Sequence, residues 1–351
     1  MTKAYLTLEN GIIFEGMSFG AANDTTGEIV FTTGMTGYLE TLTDQSYYGQ
    51  IIMQTFPLIG NYGVIPPDFE FKDIRAKGYI AKYPCNNPSN FRSEGSLDIL
   101  LKERGIVGIS GIDTRMLTKI IREQGSMGGR ISLSPPTEND LKQAKEYKIS
   151  DAIASVSTQK ISTLSQGKYK VALLDFGAKG GIAKELSARE CAITAFPHDT
   201  KAEDIIKFAP NGIMLSNGPG DPADPANIAI VLTLKELVKT NIPIFGICMG
   251  HQLLALAHGY KTRRLKFGHR GANQPVKEIK TGRVFITSQN HGYEVVAYDN
   301  SSFINVNDRS CEGLDYNDRI FSVQFHPEAR GGPLDTGFLF DRFVELIARH
   351  A

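Results

Sequence analysis

Beyond residue 169 the apolar positions come as short unbroken runs alternating with stretches of helical spacing. Runs at 171–176, 191–196, 212–216 and 242–247 read as strands buried on both faces, and the segments 182–189 and 227–239 between them read as helices. Such β-α alternation predicts a parallel sheet with helices on both sides and active groups at the carboxyl ends of strands. After a further helix opening at 249, the pattern turns more β, at 283–287, 289–296 and 320–325, and a helix over 338–347 closes the chain.

The first half reads differently. Residues 4–8 alternate as a strand, and Asn10-Gly11 predicts a hairpin into 12–16. Strands are expected at 28–33 and 77–82, a loop at 84–93, and a helix over 96–104. A second helix follows 109–115, with Asp113 or Thr114 as cap and Leu117, Ile120 and Ile121 as its apolar face. The stretch 34–63 is dense in turn residues and predicts a set of tight turns. Ser134-Pro135-Pro136-Thr137 opens a polar amphipathic helix, and 155–167 is rich in Ser, Thr and Gln with few large apolar residues. The expected organisation is an N-terminal domain at 1–150, a linker at 151–168 and a C-terminal domain at 169–351. The fold class is α/β: an open, mostly parallel sheet flanked by helices, with a separate mixed α and β domain before it.

Composition changes this picture little. Of 351 residues, 41% are hydrophobic and 22% charged, which is ordinary for globular domains. With 38 basic and 38 acidic residues the net charge is zero, so no electrostatic footprint for nucleic acid or a membrane surface is expected. Cys85, Cys191, Cys248 and Cys311 lie far apart with no CxxC or Cys/His spacing. That argues against a disulfide framework or a zinc site and for a reducing, cytoplasmic setting. No stretch approaches the roughly 20 apolar residues of a membrane span, and the N-terminus has no apolar signal region, so neither export nor anchoring is expected.

Three strand ends carry the candidate chemistry. The run 243–247 leads into Cys248, flanked by Gly246 and Gly250, and then into a helix. This is the pattern of a nucleophile elbow, where helix N-terminal N–H groups favour a thiolate; alone, Cys248 reads equally as a buried thiol. At the second strand end, Asn217-Gly218-Pro219-Gly220-Asp221-Pro222 could bring bare backbone to a ligand. It lacks the Lys-Ser/Thr of a phosphate loop, and Pro219 removes a donor. At the third, His326-Pro327-Glu328 offers a base with a carboxylate two residues on, or else an ordinary strand-end turn. Together the three read as acyl transfer through a thioester, with the N–H of Met249 and the Gly218-Pro219-Gly220 turn as candidate oxyanion donors.

Gly246-Ile247-Cys248-Met249-Gly250-His251-Gln252, Ser216–Pro222 and Gln324–Ala329 resemble the signatures of class I (triad) glutamine amidotransferase domains, which are flavodoxin-like. Four further stretches resemble the small, glutamine-hydrolysing subunit of carbamoyl-phosphate synthetases: Phe31–Tyr38, Leu42–Tyr47, Pro57–Gly63 and Gly111–Arg115. So do Lys266–Asn273 and Gln289–Gly292 in the second half. The resemblance covers essentially the whole chain. It implies that Cys248 attacks the γ-carboxamide of L-glutamine, that His326 moves the proton, that Glu328 orients His326 and that the N–H groups of Met249 and Gly218 hold the oxyanion. It also implies glutamine contacts at Ser46, Gly218, Gly220, Met249, Gln252, Asn290, Gly292 and Tyr293, so that Ser46 would place the site at a domain interface.

The implied partner is a large synthetase subunit, in a heterodimer or a higher oligomer of it. That subunit would receive the ammonia and use ATP, magnesium and bicarbonate to make carbamoyl phosphate for arginine or pyrimidine synthesis. No cofactor and no metal are implied in this chain. Gln45, Tyr293 and Ala329-Arg330-Gly331-Gly332-Pro333 depart from the family's usual pattern, and none removes a catalytic group. The basic stretch 261–266 reads as a solvated hairpin face or as a docking surface for the large subunit. His251 and His291, with no carboxylate at dyad spacing, read as structural histidines beside the site.

Overall fold

In the computed structural model, which describes residues 2–350, the chain divides between Ile149 and Ser150 into two compact units. In the first, seven strands close into a barrel. Their order is Lys3–Leu8, Ile13–Gly20, Val107–Ser110, Gly78–Ala81, Gln50–Gln54, Thr25–Thr32 and Met127–Ser132, the last pairing back to the first. Closure leaves the barrel no unpaired edge. The hairpin expected at Asn10-Gly11 forms, with Gly11 at φ 87° and the Leu8 N–H bonded to Ile12 O at 2.9 Å.

Around the barrel, helices start where the sequence supplies caps. Ser96 accepts from Ile99 N–H, Asp113 rather than Thr114 accepts from Met116 N–H, and Thr137 closes a capping box with Asp140. Two barrel strands carry no readable pattern. Gln50–Gln54 is wholly buried inside the stretch expected to be turns. Met127–Ser132 presents Gly128 and Gly129 where the chain needs no side chain: a Cβ on Gly128 would stand 1.9 Å from Ala144 O. Bare glycines erase the alternation on which strand reading depends.

The second unit carries a ten-stranded sheet. At its centre, five strands run parallel in the order Cys191–Pro197, Tyr169–Asp175, Gly212–Leu215, Ile244–Ile247, Ile320–Val323. Alternation along each strand then sorts side chains onto two faces. Val171, Leu173, Met214, Phe245 and Val323 pack with the helices Gly180–Ser187 and Phe338–His350, through Ile182, Leu186, Phe340 and Phe343. Ala172, Leu174, Ile213, Leu215 and Ile244 face the opposite way, onto Ile205, Ile230, Leu234 and Leu253 of three other helices.

The expectation of a mostly parallel sheet needs correction. Ser162–Thr163 on one side and Cys311–Asp315, Val284–Val296, Lys261–Glu278 and Ser301–Asn305 on the other pair antiparallel. Short connections join Lys261–Glu278 to Val284–Val296, Ser301–Asn305 to Cys311–Asp315 and Cys311–Asp315 to Ile320–Val323, whereas a parallel neighbour needs a crossover long enough to hold a helix. The stretch 151–168, expected as a linker, folds into the second unit. Helix Ala152–Val156 puts Ile153 into its core, and Ser162–Thr163 pairs with Ala195 and Thr194. Among the described residues, no helix is long and apolar enough to cross a membrane.

Candidate active site

Strand Ile244–Ile247 is buried between two parallel neighbours, and its ladder runs one residue further through Cys248 N–H to Val323 O at 2.9 Å. Cys248 then turns the chain at φ 54°, ψ −102°, a conformation that disfavours any residue with a Cβ, and helix Met249–Ala257 begins at once. Such a turn is possible only if the helix can lie against the strand ends. A Cβ on Gly246 would meet the Gly250 carbonyl at 2.9 Å, and one on Gly250 would lie 2.4 Å from Leu215 O. Both contacts are with backbone, which cannot swing aside. Gly250→Ala is therefore expected to destabilise the chain by about 1–3 kcal/mol, read from its denaturant midpoint. An unchanged midpoint would show that the elbow can relax.

The thiol is buried and points to Asn290 O at 3.7 Å. His326 lies just beyond Ile320–Val323, held by its own N–H on Ser288 O at 2.9 Å. Its Nδ1 meets Glu328 Oε1 at 2.6 Å, with both side chains fully buried. The period-two spacing thus does place carboxylate beside imidazole. His326 Nε2 is buried without a partner of hydrogen-bonding geometry, and the Cys248 side chain is near enough to raise the ring's basicity. Burial and the Lys179 ammonium disfavour the imidazolium, but the Glu328 charge and the hydrogen bonds outweigh them, so the His326 pKa is raised. Glu328 is held below the ordinary carboxylate range: burial opposes its charge, and His326 and Lys179 outweigh burial.

Lys179, 3.8 Å from Glu328 Oε1, was not among the expected site residues. Its loop, Gly177–Lys179, follows the strand Tyr169–Asp175, so the rule that active groups gather at carboxyl strand ends could have found it. Asn217 fastens that loop, donating from Nδ2 to Gly177 O at 3.0 Å and accepting Lys179 N–H at 3.0 Å. A Cβ on Gly181 would crowd Glu328 Cγ at 2.9 Å, which keeps the carboxylate close.

The oxyanion candidates are placed by the same elements. Gly218 follows strand Gly212–Leu215 and packs its Cα against Phe176, whose carbonyl oxygen a Cβ would meet at 2.3 Å. Met249 is the first residue of its helix, where N–H groups have no intrahelical partner. Gly220 sits at φ 92°, in the left-handed region open to glycine.

Of the expected glutamine contacts, four converge beside the elbow. Gln252, one helical turn after Cys248, donates from Nε2 to Tyr293 O and to Gln324 Oε1, both at 2.9 Å. Asn290, Gly292 and Tyr293 share the strand Val284–Val296. The Tyr293 carbonyl is committed to Gln252 and to His291 Nδ1, the latter at 2.7 Å. Ser46 belongs to the first unit, on the 3-10 turn Gln45–Tyr47, where Asp44 accepts its N–H at 2.9 Å. Along the basic stretch, Arg263 donates from Nε to Glu294 Oε1 at 2.9 Å, while Lys261, Arg264 and Lys266 are exposed.

His251 is wholly buried, its Nδ1 2.7 Å from Ser322 Oγ, and burial pushes its pKa down to about 3. Because this folded value lies below the ordinary 6.5, its contribution to stability is present above pH 6.5 and lost as pH falls toward 3. Folding free energy is expected to drop by about 2 kcal/mol between pH 6.5 and pH 5 from this group alone. Urea titrations of the chain and of His251→Gln should show a shallower pH slope in the variant, and equal slopes would refute the assignment.

Residues 6–131 match the family described as carbamoyl-phosphate synthase small chain, CPSase domain, and residues 172–346 match glutamine amidotransferase class-I. A carbamoyl phosphate synthase small chain of Clostridium perfringens is 47% identical over 348 residues, covering 98% of this chain and 99% of that one. The chain belongs to the carbamoyl phosphate synthase small-chain family. A Listeria innocua member is 46% identical across 99% of this chain and 97% of its own length. A Bacillus cereus member is 47% identical, covering 98% and 96%. As a family member with a class I domain, the chain is a glutamine amidotransferase.

Proposed function

We propose that this chain is the glutaminase subunit of a glutamine-dependent carbamoyl-phosphate synthetase, working through a γ-glutamyl thioester on Cys248. The observation that carries the reading is the buried His326–Glu328 pair at 2.6 Å beside a cysteine held on a left-handed elbow. His326 takes the thiol proton as Sγ attacks the amide carbon, and the N–H groups of Met249 and Gly218 receive the negative oxygen. Collapse of the tetrahedral adduct breaks the C–N bond, and His326 returns the proton to the leaving nitrogen, releasing ammonia. Water, deprotonated by His326, then cleaves the thioester to glutamate and restores the thiol. Glu328 holds the imidazole in one tautomer and balances its charge.

Gly220, Gln252, Asn290, Gly292 and Tyr293 supply short polar and backbone groups around the thiol, a composition suited to an amino-acid substrate. The ammonia would pass to a large subunit that uses bicarbonate, ATP and magnesium to make carbamoyl phosphate, for arginine or pyrimidine synthesis. The hydrolysis itself balances without a cofactor. Four free cysteines fit a cytoplasmic setting.

Rapid acid quench with glutamine, followed by peptide mass spectrometry, should find a glutamyl adduct on the Cys248 peptide that hydroxylamine converts to the hydroxamate. An adduct on another residue, or turnover with no adduct at any time point, would overturn the mechanism.

A further inference from the structure

Behind the strand that receives the Cys248 thiol lies a second cluster that glutamine hydrolysis does not use. His269, His291 and Glu312 are all buried, and one ligand-type atom from each lies within 4.8 Å of the others. They come from three strands, Lys261–Glu278, Val284–Val296 and Cys311–Asp315. No spacing along the chain announces them.

One feature of the cluster is unbalanced as hydrogen bonding alone. His269 is not that feature: its Nε2 is 2.8 Å from Asp308 Oδ2 and its Nδ1 pairs with Glu312 Oε1 at 3.5 Å. His291 Nδ1 faces the Tyr293 carbonyl at 2.7 Å. A carbonyl cannot donate, so Nδ1 carries a proton; burial disfavours a second proton on the ring, which leaves Nε2 a lone pair. That lone pair confronts Gln289 Oε1 at 3.1 Å. Turning the amide over is no remedy. Its Nε2 donates to Glu312 Oε2 at 3.0 Å and to Thr287 Oγ1 at 3.2 Å, and Thr287 gives its own proton to Gln274 O. Two acceptors therefore face each other in a buried place, where water cannot relieve them.

We propose that His269 Nδ1, His291 Nε2, the Glu312 carboxylate and Gln289 Oε1 form a buried site for one divalent cation of the zinc type. Ligand atoms of a tetrahedral zinc stand roughly 3.4 Å apart, given bonds of about 2.0–2.1 Å. His269 Nδ1 to Glu312 Oε1 at 3.5 Å is already at that spacing, one ligand atom each of His269, His291 and Glu312 lies within 4.8 Å of the others, and Gln289 Oε1 is 3.1 Å from His291 Nε2. The far nitrogens are arranged as metal-bound imidazoles require, one against the Asp308 carboxylate and the other against a backbone carbonyl. The ion would take no part in the chemistry. It would pin the segment from Gln289 to Tyr293, whose Asn290 carbonyl faces the thiol and whose Tyr293 carbonyl anchors Gln252.

The test uses the full chain carrying Cys248→Ser, so that the active-site thiol cannot capture metal. After chelator dialysis, zinc is added; bound zinc is counted by mass spectrometry, and affinity is read by competition with a chromogenic chelator. One equivalent with a raised melting temperature is expected. Asp308→Asn should weaken affinity about 10–100-fold, and Glu312→Gln and His269→Gln should lose the stoichiometric ion. Cobalt keeps the proposal testable if those variants do not fold. In the Cys248→Ser chain it should show the visible bands of a four-coordinate nitrogen and oxygen site, without sulfur charge transfer. No zinc retained beyond that of Glu312→Gln, a sulfur-bound cobalt spectrum, or a six-coordinate one would overturn the site. It would leave His269 as an imidazolium between two carboxylates. None of these readouts involves turnover, so failure here is separate from failure of the glutaminase reading.

Discussion

Cys248→Ser is expected to abolish glutamine hydrolysis, lowering kcat by about 10⁴-fold or more, in a chain that folds as before. The argument is chemical rather than steric. Serine occupies slightly less space, leaves the Val323 ladder bond and the Asn290 carbonyl in place, and meets the same φ of 54°. On the proposed mechanism it loses a nucleophile that attacks an amide with only one buried imidazole to take its proton, because an alkoxide is far harder to form than a thiolate. Ammonia release from glutamine, followed by a coupled assay, measures the loss, and an unchanged melting temperature shows that the fold persists. Activity retained within about tenfold of the parent would refute the covalent mechanism, since nucleophile replacement in a working triad costs far more.

Glu328→Gln carries the second-largest expected effect. The carboxylate makes a 2.6 Å contact with His326, and its charge is what raises the ring's pKa against burial and Lys179. Glutamine keeps the volume and removes the charge, leaving Lys179 beside an imidazole with no counter-ion. The sign follows: the His326 transition moves down, and kcat falls by about 10³–10⁴-fold with KM little changed. The ring resonances in a pH titration and the pH profile of kcat/KM both report it. Lys179→Met is the converse case. Removing a cation that opposes the imidazolium should move the same transition upward. If both substitutions shifted it the same way, the electrostatic account of the pair would be wrong.

The candidate site was legible to the extent that it is carried by local signals. A cysteine between glycines after an apolar strand, and a histidine two residues before a carboxylate at a strand end, are patterns of adjacent residues, and their geometry is set by backbone period and turn sterics. Lys179 was marked only by its place beyond a strand's carboxyl end. A lysine after a strand reads as solvated until its loop is seen fastened by Asn217 and its ammonium beside Glu328. The cluster of His269, His291 and Glu312 was hidden, because antiparallel pairing brings together residues whose separation along the chain carries no information.

The same division runs through the fold. By itself the sequence determined the α/β class, the central parallel strands of the second unit with several of its helices, and a helix cap at Asp113 or Thr114. Each of these depends on residues a few positions apart, where propensity, alternation and capping act directly. Only the tertiary structure decided that the first unit is a closed barrel, that Gln50–Gln54 and the glycine-bearing Met127–Ser132 are among its strands, and that more antiparallel pairings than expected extend the second sheet. It also decided that residues 151–168 belong to that second unit. Strand partners are chosen by burial and by hydrogen-bond closure across long separations, and those energies exist only once the chain has come together.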